Sequence, residues 1–136
     1  MLELISAIFM WVVVAMGVED SEPPPLVIAS STQAEIQKVV CENKGCRDVI
    51  VFTDAKIMVA RDFAWNQPLA AALFVKPIVH HLQYYILCKE DAEAFSKGKA
   101  RFDDQASEIL RQFMAALGVI QEAKIRYYEQ IPRKDS

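Results

Sequence analysis

Both histidines of the chain, His80 and His81, stand together in VKPIVHHLQYY, residues 75–85, an apolar stretch that also carries Lys76, Gln83 and Tyr84. Imidazole nitrogens ligate metals and move protons near neutral pH. Neighbouring positions on a helix diverge by about 100°, so this pair cannot close on one ion as histidines four apart can. No Ser-His-Asp order and no paired-carboxylate motif names another chemistry, and four glycines are too few for a phosphate-cradling loop. The histidine segment is therefore the place where chemistry is to be sought.

Helical patterning positions it. Residues 68–88, PLAAALFVKPIVHHLQYYILC, form an apolar stretch that Asn66 can cap and Pro68 can open, since proline is tolerated in a first helical turn. Pro77 falls inside, where it removes the hydrogen bond to the Leu73 carbonyl and either kinks the helix or restarts it at Ile78. In a continuous helix Lys76 and His80, four apart, share a face. Upstream, Thr32 and Glu35 fit a capping box ahead of Ile36, Val39 and Val40, a helix that Gly45 can end. DVIVFTDAKIMVARDF, 48–63, reads as strands at 49–52 and 56–60 around a turn at 53–55. Downstream, 91–97 is a short helix interrupted near Gly98. Asp103 caps a longer one, with Ile109, Leu110, Phe113, Met114 and Leu117 as its buried stripe up to Gly118, and 119–128 forms a last helix.

The order helix, strand pair, helix with VHHLQ and helix with DAEAF resembles a zincin-like family of small exported bacterial proteins, whose HExxHHLQ helix precedes a helix with an E-A-Y motif. The resemblance covers about residues 46–117. It implies an α+β, mostly helical fold: a small zincin-like domain with a short strand pair packed on the motif-bearing helix and C-terminal helices. On this pattern HExxHH falls on Lys76, Pro77, Ile78, Val79, His80 and His81, with Leu82 and Gln83 completing the word. The second motif falls on Glu93, Ala94 and Phe95, with Glu90 as the other acid.

The resemblance thus implies a vestigial metal set of His80, Glu93 and Glu90. A catalytic zinc needs three protein ligands and an open water position, and the motif glutamate takes a proton from that water. A lysine ammonium has no lone pair to give, and proline has no acid–base group. A degenerate, non-catalytic domain without a cofactor is expected. Zinc-dependent hydrolysis belongs to an alternative in which His80, His81 after a helix distortion and a carboxylate are the ligands. The expectation for the site itself is a pseudo-site of Lys76, His80, His81, Gln83 and Tyr84. In it Lys76 pairs with Glu93 or Glu90, Tyr84 reaches His80 or the same acid, Gln83 ties the helix to a loop and His81 sits at the rim. A third reading is an unrelated small helical protein anchored by its N-terminal segment.

Residues 1–17, MLELISAIFMWVVVAMG, hold an apolar run from Leu4 to Met16 with Ala15 and Gly17 as small residues at −3 and −1 of a cut before Val18. The run reads as a secretory signal, with Glu3 and no Lys or Arg in its first residues, or as an uncleaved anchor. It is shorter than the roughly 20 apolar residues of a membrane span. Residues 18–30, with SEPPP, are then an extended leader, and 31–136 a single domain. Export to a bacterial periplasm or beyond places Cys41, Cys46 and Cys88 in an oxidising compartment, where one disulfide and one odd thiol are expected. A net charge of −3 supplies no basic field for nucleic acid. The expected partner is a protein or peptide, with a membrane met only through an uncleaved N-terminal segment.

Overall fold

The computed structural model describes residues 2–40, 50–61 and 70–130. Cys41, Gly45, Cys46, Asn66, Pro68 and the C-terminal RKDS lie outside them. The fold is α+β and mostly helical, with one small sheet.

Two of its strands are those the sequence predicts. β2 (Ile50–Thr53) and β3 (Lys56–Ala60) form an antiparallel hairpin in which Thr53 faces Lys56, leaving Asp54 and Ala55 as a two-residue loop. Both loop residues have positive φ, 52° and 60°, the mirror-image turn whose twist matches that of paired strands. Alanine is strained there, and Tyr85 holds the turn by donating its hydroxyl to the Ala55 carbonyl at 2.8 Å. The third strand was not anticipated. β1 (Ile28–Ser31) spans the end of the segment read as leader, residues 18–30, and pairs parallel with β3, Ile28 opposite Ile57 and Ser31 opposite Ala60, giving the order β1-β3-β2. A parallel partner is reached by a crossover, here containing α2 (Gln33–Val40), so nothing local announces it. The capping box of α2 is reciprocal: Glu35 N–H donates to Thr32 Oγ1 at 3.1 Å and Thr32 N–H to Glu35 Oε2 at 3.4 Å.

α1 (Leu2–Met16) buries Ile5, Ile8, Val12 and Val13 in the main core, and Trp11 meets Phe113 edge to face at 5.2 Å. Its end is built as a stop. Gly17, at φ 69°, donates to Val14 O at 3.0 Å, Val18 donates to Val13 O at 3.1 Å, and the Val18 side chain is buried beside the helix end. The four buried aliphatic side chains are worth about 6–12 kcal/mol of transfer free energy, comparable with the whole net stability of a small domain. The run read as signal or anchor is thus, in this fold, part of the core. Among the described residues no helix is long and apolar enough to cross a membrane.

α3 (Val75–Leu82) is the central element, packed against α1, the sheet and α5 (Lys99–Gln130). It follows a 3₁₀ turn, Ala72–Phe74, so Pro77 falls in its first turn and no mid-helix kink develops. A π-helical turn, Gln83–Leu87, continues α3; then Lys89 and Glu90, both at positive φ, reverse the chain into α4 (Ala92–Lys97). Asp91 caps α4 by accepting from Glu93 and Ala94 N–H at 3.0 and 3.2 Å. α5 runs unbroken from Lys99 to Gln130, through Asp103 and Gly118, which were expected to bound separate helices. One interior glycine costs about 1 kcal/mol against alanine. That is less than the apolar stripe of Phe102, Ala106 and Ile109 returns by burial.

Candidate functional site

α3 turns Val75, Ile78, Val79 and Leu82 into the core, which fixes where its polar residues point. Lys76 is exposed, Pro77 is buried, His80 lies at the boundary and His81 is fully buried. The expectation of His81 at the rim is therefore corrected: the residue next to the boundary position on a helix rotates inward.

His80 and Gln83 form the hub of a network joining α3 to α5. Gln83, fully buried, donates through Nε2 to the Phe102 carbonyl at 3.0 Å and to Gln105 Oε1 at 2.9 Å. A carbonyl can only accept, so the Gln83 amide nitrogen faces α5 and its Oε1 faces His80, 2.8 Å from Nδ1. That oxygen requires the proton on His80 Nδ1. The remaining ring nitrogen, Nε2, stands 3.6 Å from Asp103 Oδ1. Gln83 thus ties α3 to a helix, not to a loop; its partner Gln105, and the Asp103 beside His80, are missed because Asp103 reads as a helix cap in sequence.

The other expected contacts are not formed. Glu93 pairs with Lys97 at 2.9 Å on the exposed face of α4, and among the described residues Lys76 has no ion-pair partner. Exposed pairs of this kind contribute about 0–1 kcal/mol. Tyr84 donates to the main-chain carbonyl of Glu90 at 3.2 Å, and neither to His80 nor to a carboxylate. Cys88 is a buried free thiol whose pKa burial pushes up, the opposite of what a nucleophile needs.

His81 joins four parts of the chain. Its Nε2 donates to the Pro24 carbonyl at 3.0 Å, fastening the proline segment to α3. Its ring lies against Tyr85 at 4.6 Å, Phe9 of α1 at 6.2 Å and Phe52 of β2 at 6.5 Å. Among the described residues the buried Nδ1 has no hydrogen-bond partner, and burial holds the imidazole pKa below its ordinary 6.5, the Pro24 carbonyl only partly opposing this.

The residues present do not fit a catalytic metal. Asp103 stands beside His80 Nε2, but neither Glu90 nor Glu93 joins them, and among the described residues no three histidines, cysteines or acids gather in one place. Lys76 and Pro77, at the positions that the resemblance to the HExxH pattern gives to a ligand and a general base, can serve as neither. What the arrangement does provide is a fixed polar bolt between α3 and α5, beside a set of half-buried aromatic rings. Comparison with known protein families, with curated proteins and with solved structures gives no match for this chain.

Proposed function

We propose that the chain is a non-catalytic zincin-like domain that works as a binding or structural module toward a protein or peptide. The observation that carries this reading is the Gln83-centred network. Hydrogen bonds linking Gln83 with His80, Phe102 and Gln105 join the motif helix to α5 and engage His80 away from the Glu90 and Glu93 of the expected ligand set. The element order supports the zincin-like part of the reading: a helix, an antiparallel strand pair, the VHHLQ helix and the DAEAF helix. Export is part of the proposal, in a form that keeps residues 2–16 folded against α3, because Ile5, Ile8, Val12 and Val13 belong to the same core as Ile78 and Leu82.

The test is the metal content of the purified full chain by mass spectrometry after dialysis against zinc. Zinc well below one equivalent, unchanged by His80→Ala, is expected. Near-stoichiometric zinc that His80→Ala removes would restore the hydrolase alternative and make peptidase assays the next step.

A further inference from the structure

β1 pairs with β3 on one side, and among the described residues its other side is an open edge of the sheet. The carbonyls of Val27 and Ser31 accept from the N–H groups of Ile57 and Arg61 at 2.7 and 3.0 Å. Main-chain groups alternate sides along a strand, so Val27, Ala29 and Ser31 face β3, while Ile28 and Ser30 turn their N–H and C=O groups outward. Both outward residues are exposed, and among the described residues their main chains have no hydrogen-bond partner on that side. Edges that stay unpaired are usually blunted by charge, proline or a bulge. Residues 26–32, LVIASST, carry neither a charge nor a proline, and the register with β3 is regular throughout.

The edge leads into a cavity. Ile5, Ser6 and Phe9 of α1 face Pro25, Leu26 and Ile28 across an open space of about 240 Å³, which no charged residue lines and which suits one aliphatic side chain. Ile28 lies opposite Ile57, whose side chain is buried in the main core, so both point to the side of the sheet that α1 and α3 cover. A residue added opposite Ile28 on the free edge turns its side chain to that same side, where the cavity opens. The surrounding charge is negative. Residues 1–37 contain Glu3, Glu19, Asp20, Glu22 and Glu35 and no Lys or Arg. Glu3, two positions before Ile5, and Glu22, three before Pro25, are exposed near the cavity walls in sequence. The cations of the neighbouring strand, Lys56 at its start and Arg61 just past its end, stand one strand in from the edge.

We propose that the free edge of β1 binds an extended peptide as an added strand, with an apolar side chain in the cavity and basic residues beside it. An extended main chain matches outward donors and acceptors at strand spacing; those bonds give affinity and the cavity gives specificity. A four-residue edge with one small cavity offers by itself far less than the roughly 1,200 Å² that stable protein–protein interfaces bury, so it fits a short peptide better than a second copy of the chain. The inference rests on the binding-module part of the reading above and names its class of partner. Failure to bind peptide strikes this site, whereas zinc held by His80 strikes the non-catalytic reading.

The test is titration of the nitrogen-labelled full chain with the amidated peptide Lys-Leu-Thr-Leu-Lys, followed by amide NMR. Saturable shifts centred on the Ile28 and Ser30 N–H groups, with a Kd of about 0.1–1 mM, are expected. Two N-methylated peptides separate the sides of the added strand, one methylated on both leucine nitrogens and one on the threonine and final lysine nitrogens. One of them should bind about tenfold or more weakly, and the other within about threefold of the parent. Ser6→Phe, which fills the cavity from an exposed position, should weaken the parent peptide about tenfold. Ser30→Pro, which removes one outward N–H, should weaken it about fivefold, and serves as the second variant if the first alters melting. Exchanging both lysines of the peptide for glutamate should cost about threefold at low salt. No saturation by about 5 mM peptide, or equal binding of the two methylated forms, would overturn the proposal. Sedimentation equilibrium of the chain alone is expected to give a monomer; a dimer that Ser30→Pro dissociates would assign the edge to a second copy and overturn it as well.

Discussion

Replacing Gln83 with leucine, which keeps nearly the same volume, removes the hub of the α3–α5 link. Three hydrogen bonds go with it, those to His80, to the Phe102 carbonyl and to Gln105. At about 0.5–1.5 kcal/mol net each, the gross loss is about 1.5–4.5 kcal/mol. Two terms reduce it: a leucine side chain is better suited to a dry slot, and His80 and Gln105 are only partly buried and recover water as a partner. The expected destabilisation of Gln83→Leu is therefore about 2–3 kcal/mol. For a chain of this length each kcal/mol moves the Tm by about 3–4 °C, so a fall of about 6–12 °C is expected. Urea unfolding measures it directly, with the midpoint lowered and the slope unchanged. Combined with His80→Ala in a double-mutant cycle, it should show a coupling of about 0.5–1.5 kcal/mol. A loss under about 0.5 kcal/mol, or additive single variants, would refute the idea that this network joins the helices.

Ile8→Ala tests whether α1 belongs to the core: a loss of about 2–4 kcal/mol in urea unfolding is expected, whereas an appended segment would give none. His81 adds a pH dependence whose sign follows from its burial. Its pKa is lowered in the fold, so the unfolded chain takes up the proton first; the stability it contributes is full above the ordinary 6.5 and is lost as pH falls below it toward the folded value. His81→Leu should flatten the stability profile below that pH, and an unchanged slope would contradict the account. Ala55→Gly should raise stability by about 0.5–1 kcal/mol, because φ 60° strains alanine and not glycine; melting that falls instead would mean the turn has another geometry.

Much of the local structure is legible in the residues. Thr32 and Glu35 form the capping box their spacing predicts, Asp91 starts the helix that ends near Gly98, and the strands on either side of Asp54 and Ala55 pair as a hairpin. The missed features depend on long-range contacts. β1 is a strand because β3 lies beside it, and residues 2–16 look like a signal because a helix buried on one side and apolar on the other has the same composition. Asp103 and Gly118 read as boundaries, yet α5 runs through both, with Ala106 and Ile109 carrying its buried face past Asp103. At the site, VHHLQ marked the correct helix, and its sequence could not say which imidazole faces inward or that Gln83 reaches Gln105, twenty-two residues away. Lys76 and Glu93 were matched by charge; the structure gives Glu93 the lysine one turn along its own helix.

The central proposal is that His80 is held by its hydrogen bond with Gln83 and takes no metal. The imidazole nitrogen spectrum of the full chain, recorded at about pH 8 with and without one equivalent of zinc, reads this at the atom concerned. The account predicts a proton on His80 Nδ1, facing Gln83, and an Nε2 resonance that zinc leaves in place. A zinc-induced shift of Nε2, or a proton on Nε2 in place of Nδ1, would contradict it.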